Sequence, residues 1–423
     1  DKLFNGNPPP GEIAREYWVQ VAKLPARRNE AINQLKALNA RRPGDGELQN
    51  ALAQLLFARD RPDEGYAVLQ QMAKSGTSRD AAAAIWYQQI KDVPISDASV
   101  QALQRFLAQF SEGDNVEMAR QQLAEQQQKL ADPAFRARSQ GLEAVDACQC
   151  SNASSALQQA VSADEHDGEA IGALGQAYSQ KGDRARAVEN LQKAITLAPQ
   201  SSNRSKWDSL LQTNRYWLLI QQGDAALKAA DPARATRFYQ QAQQVDNTDS
   251  YAVLGLGDAA LARKETDSAE RYYRQALRMD SENSNAVRGL ANLYRAQSPE
   301  RAQAFIQTLN ARQRRSVDDI ERSMTGDRLA QQAEALENRG EWAQAAEVQR
   351  QRLALDAGSV WITYRLASDL RNAGQRAQGD AQMRDLAAQK PNDAEQVYAY
   401  GLYLSGNEDQ GLAALAHLNT LPE

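Results

Sequence analysis

Between Leu174 and Pro199 the chain reads LGQAYSQKGDRARAVENLQKAITLAP, and its apolar positions recur every three or four residues on either side of a polar break. Leu174 and Tyr178 form one stripe, and Ala187, Leu191 and Ala194 form the next. Spacing of that kind belongs to amphipathic helices. The pattern predicts two helices joined at Gly182-Asp183, the second stopped by Pro199, because proline cannot continue a helix. Small residues stand where bulky ones are usual: Gly175, Ala187 and Ala194 lie on the apolar faces. Two antiparallel helices with bare or nearly bare backbone at their contact can approach closely.

This is the spacing of the tetratricopeptide repeat, a helix-turn-helix unit with a period of about 34 residues. The frame 168–201 puts Gly175 at position 8, Tyr178 at 11, Ala187 at 20, Ala194 at 27 and Pro199 at 32. The same frame fits 134–167 through Gly141, Ala153, Leu157 and Ala160, and 216–249 through Gly223, Ala235, Tyr239 and Ala242. It fits 250–283 through Leu256, Gly257, Ala269, Tyr273 and Ala276. Frames 12–45, 46–79, 326–359 and 360–393, the last ending near Pro391, keep the phase. Degenerate copies start near 80, 284 and 394. The expected fold is an all-α superhelical solenoid of about eleven tetratricopeptide repeats, and at position 8 alanine is expected to replace Gly175 at little cost.

Three segments break the period: 115–133, 202–215 and roughly 310–325. Their composition predicts extra helices or extended linkers. A solenoid repeat touches only its neighbours, so an unpaired helix interrupts the stacking. The expected organisation is a block at 1–201, an inter-block helix or hinge at 202–215, a block at 216–309, a linker or hinge at 310–325 and a block at 326–423. DKLFNGNPP at the amino end reads as the tail of a helix whose start lies upstream, where an export signal would also have been.

Composition narrows the chemistry. Aromatic residues are only 6% of the chain, and 49 Lys and Arg stand against 54 Asp and Glu for a net charge of -5. Scattered basic residues give no phosphate-binding stripe, so nucleic acid is not an expected partner. No apolar run reaches the roughly 20 residues of a membrane helix, and no membrane insertion by this stretch is expected. His166 and His417 are the two histidines, without a ligand-spaced partner. Cys148 and Cys150 fall in a turn, where a bridge two residues apart would be badly strained. The glycines occupy packing and turn positions, and the carboxylates are expected at solvent-facing positions. No catalytic residue, cofactor or metal site is expected.

The aromatics offer more. Trp18 and Trp86 fall at position 7, a core position. Trp217, Tyr251 and Trp361 fall at position 2, and Tyr364 and Tyr398 at position 5, places on the first helix that line the concave face of such arrays. Arg288, Asn292, Arg295 and Arg371 share that face as hydrogen-bond donors. These nine residues are the candidate binding surface, for stacking on sugar rings or clamping an extended peptide. The competing expectation is that the rings pack against the neighbouring repeat.

The stretches LFNGNPPPGEIAREYWVQVAKLPARRNEAINQL, ADPAFRARSQGLEAV, SSNRSKWDSLLQTNRYWLLIQQGDAAL, DNTDSYAVLGLGDAALARK and EQVYAYGLYLSG resemble the periplasmic repeat region of the bacterial cellulose synthase operon protein C family, of the enterobacterial type. The resemblance covers residues 1 to 423 and includes the non-repeat insertions. It implies a periplasmic fragment of a protein with a carboxyl-terminal outer-membrane barrel, with other cellulose synthase complex subunits as partners and nascent β-1,4-glucan as a further candidate. The implied role is a non-enzymatic scaffold linking an inner-membrane synthase to an outer-membrane pore. The alternatives are a glucan-guiding surface on the concave face and a generic peptide-binding assembly factor. The pair of cysteines in VDACQCSNASS departs from the Gly or Ser expected in that turn.

Overall fold

The computed structural model describes residues 7–11, 13–406 and 408–421, so of the expected amino-terminal helix tail at 1–9 residues 1–6 lie outside the described residues, and residues 7–9 are not helical. Among the described residues the chain forms 24 α-helices and no strand, and each helix packs chiefly on the ones next to it in sequence. The protein is an all-α tetratricopeptide-repeat solenoid. It divides into two compact units, Asp1–Arg215 and Tyr216–Glu423.

Backbone geometry fixes the register independently of side-chain pattern. Asp60, Cys148, Gly182, Ala230, Lys264, Gly340 and Gly374 all have φ between 56° and 86°, and each is the fifteenth residue of its frame. In these seven repeats the turn between the two helices uses one left-handed residue. The chain often accepts the cost of a side chain there, since four of the seven are not glycine. Aspartates open many second helices: the Asp183 carboxylate accepts from the Arg186 N–H at 3.2 Å, and that of Asp231 accepts from Arg234 N–H at 3.1 Å. These caps satisfy backbone donors left over at a helix start.

In the first unit, helices Gly168–Gln180 and Arg184–Leu197 form the repeat quoted at the outset. Ala187, Leu191 and Ala194 are fully buried between them. A Cβ on Gly175 would stand 3.0 Å from the Leu191 backbone nitrogen. Backbone cannot step aside as a rotamer can, so alanine at 175 crowds the seam, contrary to the expectation from the other repeats. Trp207, in the 202–215 segment, joins the same core with Leu211, its ring lying where a Cβ on Gly172 would be. The period-breaking residues 114–130 form one helix, Asp114–Leu130.

The second unit uses tyrosine at the same seam. Tyr239, at position 24 of its repeat, lies between Gly223 of its own first helix and Gly255 of the next, where added Cβ atoms would strike its ring. Its hydroxyl donates to Asp224 at 2.5 Å. One repeat later Tyr273 lies between Gly257 and Gly289, and donates to Asp258 at 2.6 Å. Burial holds both phenols far above their ordinary pKa, and burial also pushes the Asp258 carboxyl up despite the hydroxyl it receives. Residues 204–228 form one 25-residue helix, and at the later break a short helix, Ala311–Arg315, precedes the long helix Asp318–Asn338.

The left-handed turn position yields a sign test. Ala230→Gly relieves a side chain at φ 57° and is expected to stabilise by up to about 1 kcal/mol, whereas Gly182→Ala, at φ 80°, is expected to destabilise by about 1 kcal/mol. Urea melts of both variants check this, and equal or inverted signs would show the register to be wrong.

Candidate functional site

Tyr251, Trp361, Tyr364 and Tyr398 stand in the first turns of helices of the second unit, whereas Trp217 lies in the middle of the helix formed by residues 204–228. Position 4 and 7 residues, such as Val253 and Leu256 on the helix Ser250–Ala262, are buried. Tyr251, on the opposite side of that helix, is 44% exposed. The Trp217 ring meets it edge-on, with centroids 5.3 Å apart, and also meets Tyr216 at 5.1 Å. Trp217 is half-buried against the core of its own repeat, so it joins both the surface and the packing. Tyr216 itself is buried, donates to the Asp249 carboxylate at 2.6 Å and accepts from the Ala252 N–H at 3.1 Å, tying the start of the following helix.

The second group is built on the helices Val360–Asn372 and Ala394–Tyr403. Trp361, 38% exposed, meets Tyr364 at 5.8 Å and Tyr398 at 6.1 Å, both edge-on, and Tyr398 is 46% exposed. The Trp361 indole N–H donates to Glu395, which fixes the ring across two consecutive repeats. Trp361 and Tyr398 stay open to solvent, while Tyr364 is half-buried against the core of its repeat.

Among the donors, most are already engaged. Arg288 grips Asp319 with two N–H groups at 2.7 and 3.0 Å and donates to the Ser316 carbonyl at 2.8 Å. Arg295 donates to Ser323 at 2.8 Å and Asp327 at 2.9 Å. Both arginines thus anchor the segment around the long helix Asp318–Asn338, a structural duty that spacing alone did not disclose. Arg371 turns to the Tyr403 carbonyl at 2.6 Å, its guanidinium 4.1 Å above the Tyr403 ring. Asn292 is exposed.

One group of residues is not recognisable in the sequence. Asp369 is buried, although carboxylates are expected at solvent-facing positions. It lies beside Glu337, with the Gln349 amide donating to Glu337 at 3.1 Å and to Asp369 at 3.4 Å. Arg365 pairs with Glu337, and Arg352 stands near enough to have its own charge disfavoured by burial and by Arg365. Burial, then the neighbouring Glu337, pushes Asp369 up to about 7. The only sequence signal is an Asp at position 10, a place otherwise inside the repeat.

Nothing in this region forms a reacting constellation. Among the described residues no group of three His, Cys, Asp or Glu is placed to hold a metal, and no helix is long and apolar enough to cross a membrane. His417 lies 2.9 Å from the Pro391 carbonyl, and exposed His166 sits in the turn after the helix Cys150–Ala163. Cys148 is the exposed left-handed turn residue of its repeat, and the Cys150 side chain lies outside the described part.

A tetratricopeptide repeat model matches residues 168–201 and 251–283. The chain is 71% identical over 422 residues to cellulose synthase operon protein C of Escherichia coli K12, a match covering 100% of this chain and 36% of that protein. It is 72% identical over 422 residues to the protein of the same name from Salmonella typhimurium LT2, with the same coverage. A crystal structure of the flexible tandem repeat domain from a bacterial cellulose synthase is 67% identical where it aligns, over 31% of this chain and 54% of that one, with a TM-score of 0.30. The resemblance to this family thus runs the length of the chain, which spans about a third of the curated relatives it matches.

Asp369 makes stability depend on pH. Its folded pKa, about 7, lies above the ordinary 3.8, so between those values the native state holds a proton that the unfolded chain has lost. Stability is then fully supported at the acid end and declines as pH rises through the window. Asp369→Asn, neutral throughout, is expected to gain several degrees in Tm on the parent at pH 8 relative to pH 4.5. Parallel melting curves at the two pH values would refute this.

Proposed function

We propose that the chain is a non-enzymatic scaffold of bacterial cellulose biosynthesis and export, working in the periplasm and bridging an inner-membrane synthase to an outer-membrane pore through protein contacts. The observation that carries this reading is the 71–72% identity along 99–100% of the chain to proteins named for the cellulose synthase operon. Its repeat architecture agrees, because a solenoid offers long exposed faces and buries its small core between neighbours, leaving little shelter for catalysis. An inter-block helix or hinge at 202–215 and a linker or hinge at 310–325, between blocks 1–201, 216–309 and 326–423, belong to the same proposal.

The reading separates export from polymerisation. In cells whose full-length protein carries this region, excising the part equivalent to residues 216–423 is expected to abolish cellulose at the cell surface, while isolated inner membranes still polymerise glucan. Unchanged surface cellulose would overturn it, as would loss of polymerisation in the membranes.

The exposed rings favour a second reading, direct contact with the glucan. Tyr251, Trp361 and Tyr398 present open faces, and each ring stacked on a flat sugar contributes about 0.5 to 1.5 kcal/mol by analogy with aromatic pairs. Three rings at the upper end of that range give binding near about 1 mM. Cellohexaose is expected to perturb amide signals of residues 360–400 with a Kd of about 1 mM, and Trp361→Ala to abolish the response with Tm nearly unchanged. No perturbation of the parent at ten times that concentration would sink the reading.

A further inference from the structure

Arg376, Asp380 and Arg384 are spaced by four along the helix Arg376–Gln389, so they share one face. The aspartate would ordinarily neutralise both arginines. It does not: Asp380 instead accepts the hydroxyl of buried Tyr403 at 2.7 Å, and among the described residues neither Arg376 nor Arg384 has an ion-pair partner. Both arginine side chains are exposed and line a pocket of about 130 Å³ whose wall also includes Arg371, Tyr400 and Gln410. On the Arg371 guanidinium, one nitrogen donates to the Tyr403 carbonyl, but Nε is buried with no hydrogen-bond partner.

Charge and size indicate what such a ligand must be. Three guanidiniums and one carboxylate give the lining a formal charge of about +2, and the carboxylate is already occupied by a phenol. The cavity, about 130 Å³, has room for a small oxyanion. Guanidinium forks suit oxyanions, and a phosphate group with a charge of about -1.5 to -2 at neutral pH balances the lining where a carboxylate would balance half of it.

We propose that this pocket, between the helices Val360–Asn372, Arg376–Gln389, Ala394–Tyr403 and Glu408–Leu418, is a binding site for a phosphate dianion, free or as the terminal monoester of a larger molecule. Tyr403 organises the site. Its ring supports the Arg371 guanidinium, its carbonyl orients it, and its hydroxyl engages one oxygen of Asp380. Gly379 makes room for that hydroxyl, since a Cβ there would stand 2.7 Å from it. Phosphate joins the two exposed arginines to Arg371 without moving the tyrosine.

Titration calorimetry of the whole chain with inorganic phosphate, at pH 8 and low ionic strength, tests the site. One site with a Kd of about 0.1 to 1 mM is expected. Arg376→Gln and Arg384→Gln, both at exposed positions that leave the fold intact, are expected to weaken it at least five-fold each. Arg322→Gln, on a distant helix, is expected to change nothing. Affinity should fall below pH 6 as phosphate becomes a monoanion, and acetate at equal ionic strength should not compete. Glycerol 3-phosphate competing at similar concentration assigns the site to monoesters, and failure to compete assigns it to the free ion. No isotherm up to about 10 mM phosphate, or variants that bind like the parent, would overturn the proposal.

Discussion

The fold depends on how closely two helices of a repeat can approach, and one side chain at the middle of the second helix sets that distance. Where it is tyrosine, as at 239 and 273, the ring is wedged between a bare backbone in its own repeat and another in the next. The same side chain thus fixes the pairing within a repeat and the stacking between repeats. A solenoid has no other long-range contacts to rely on, so this shared wedge carries the regularity of the stack. Any Cβ at Gly223 or Gly257 acts on the pair and on its neighbour through that one ring.

A buried phenol needs a hydrogen-bond partner, and the partner here is the aspartate directly after the glycine: Asp224 for Tyr239, and Asp258 for Tyr273. The wedge therefore comes as a triad of glycine, aspartate and tyrosine. Filling the seam from the second helix leaves the start of the first helix without a packing duty on its outer side. At position 2 of this unit Tyr251 and Trp361 stay open while Trp217 is half-buried, and in the first unit the position 7 rings of Trp18 and Trp86 are buried.

Much of this was legible in the sequence, because repetition turns a weak pattern into a strong one. A Gly at 175 means little by itself, but glycines and alanines recurring in one phase locate both helices and the turn, and the left-handed residues at 60, 148, 182, 230, 264, 340 and 374 occupy the same place in seven frames. What escaped was contact across the period. Asp224 and Asp258 follow the glycines visibly, yet only the tyrosine fifteen residues later gives them a purpose. Asp369 was missed for the opposite reason: its partners Glu337 and Gln349 come from two other helices, and no spacing within one repeat reports them. The candidate surface was half legible. Its rings could be placed by position, whereas the engagement of Arg288 and Arg295 depends on the helix Asp318–Asn338, which lies where the period fails.

That engagement changes what the first-helix face can do. A sugar site that fixes one residue of a chain in one orientation needs free donors and acceptors around its rings, because only hydrogen bonds distinguish one hydroxyl from the next. Here the arginines that would supply them are committed to Asp319 and Asp327, and the indole N–H of Trp361 is committed to Glu395. What remains on offer is largely the faces of aromatic rings, which read flatness and not register. On the glucan reading, such a surface holds a uniform polymer without choosing a place along it. Weak, register-free contact of that kind lets a chain slide, and a surface beside a moving polymer needs that more than it needs affinity.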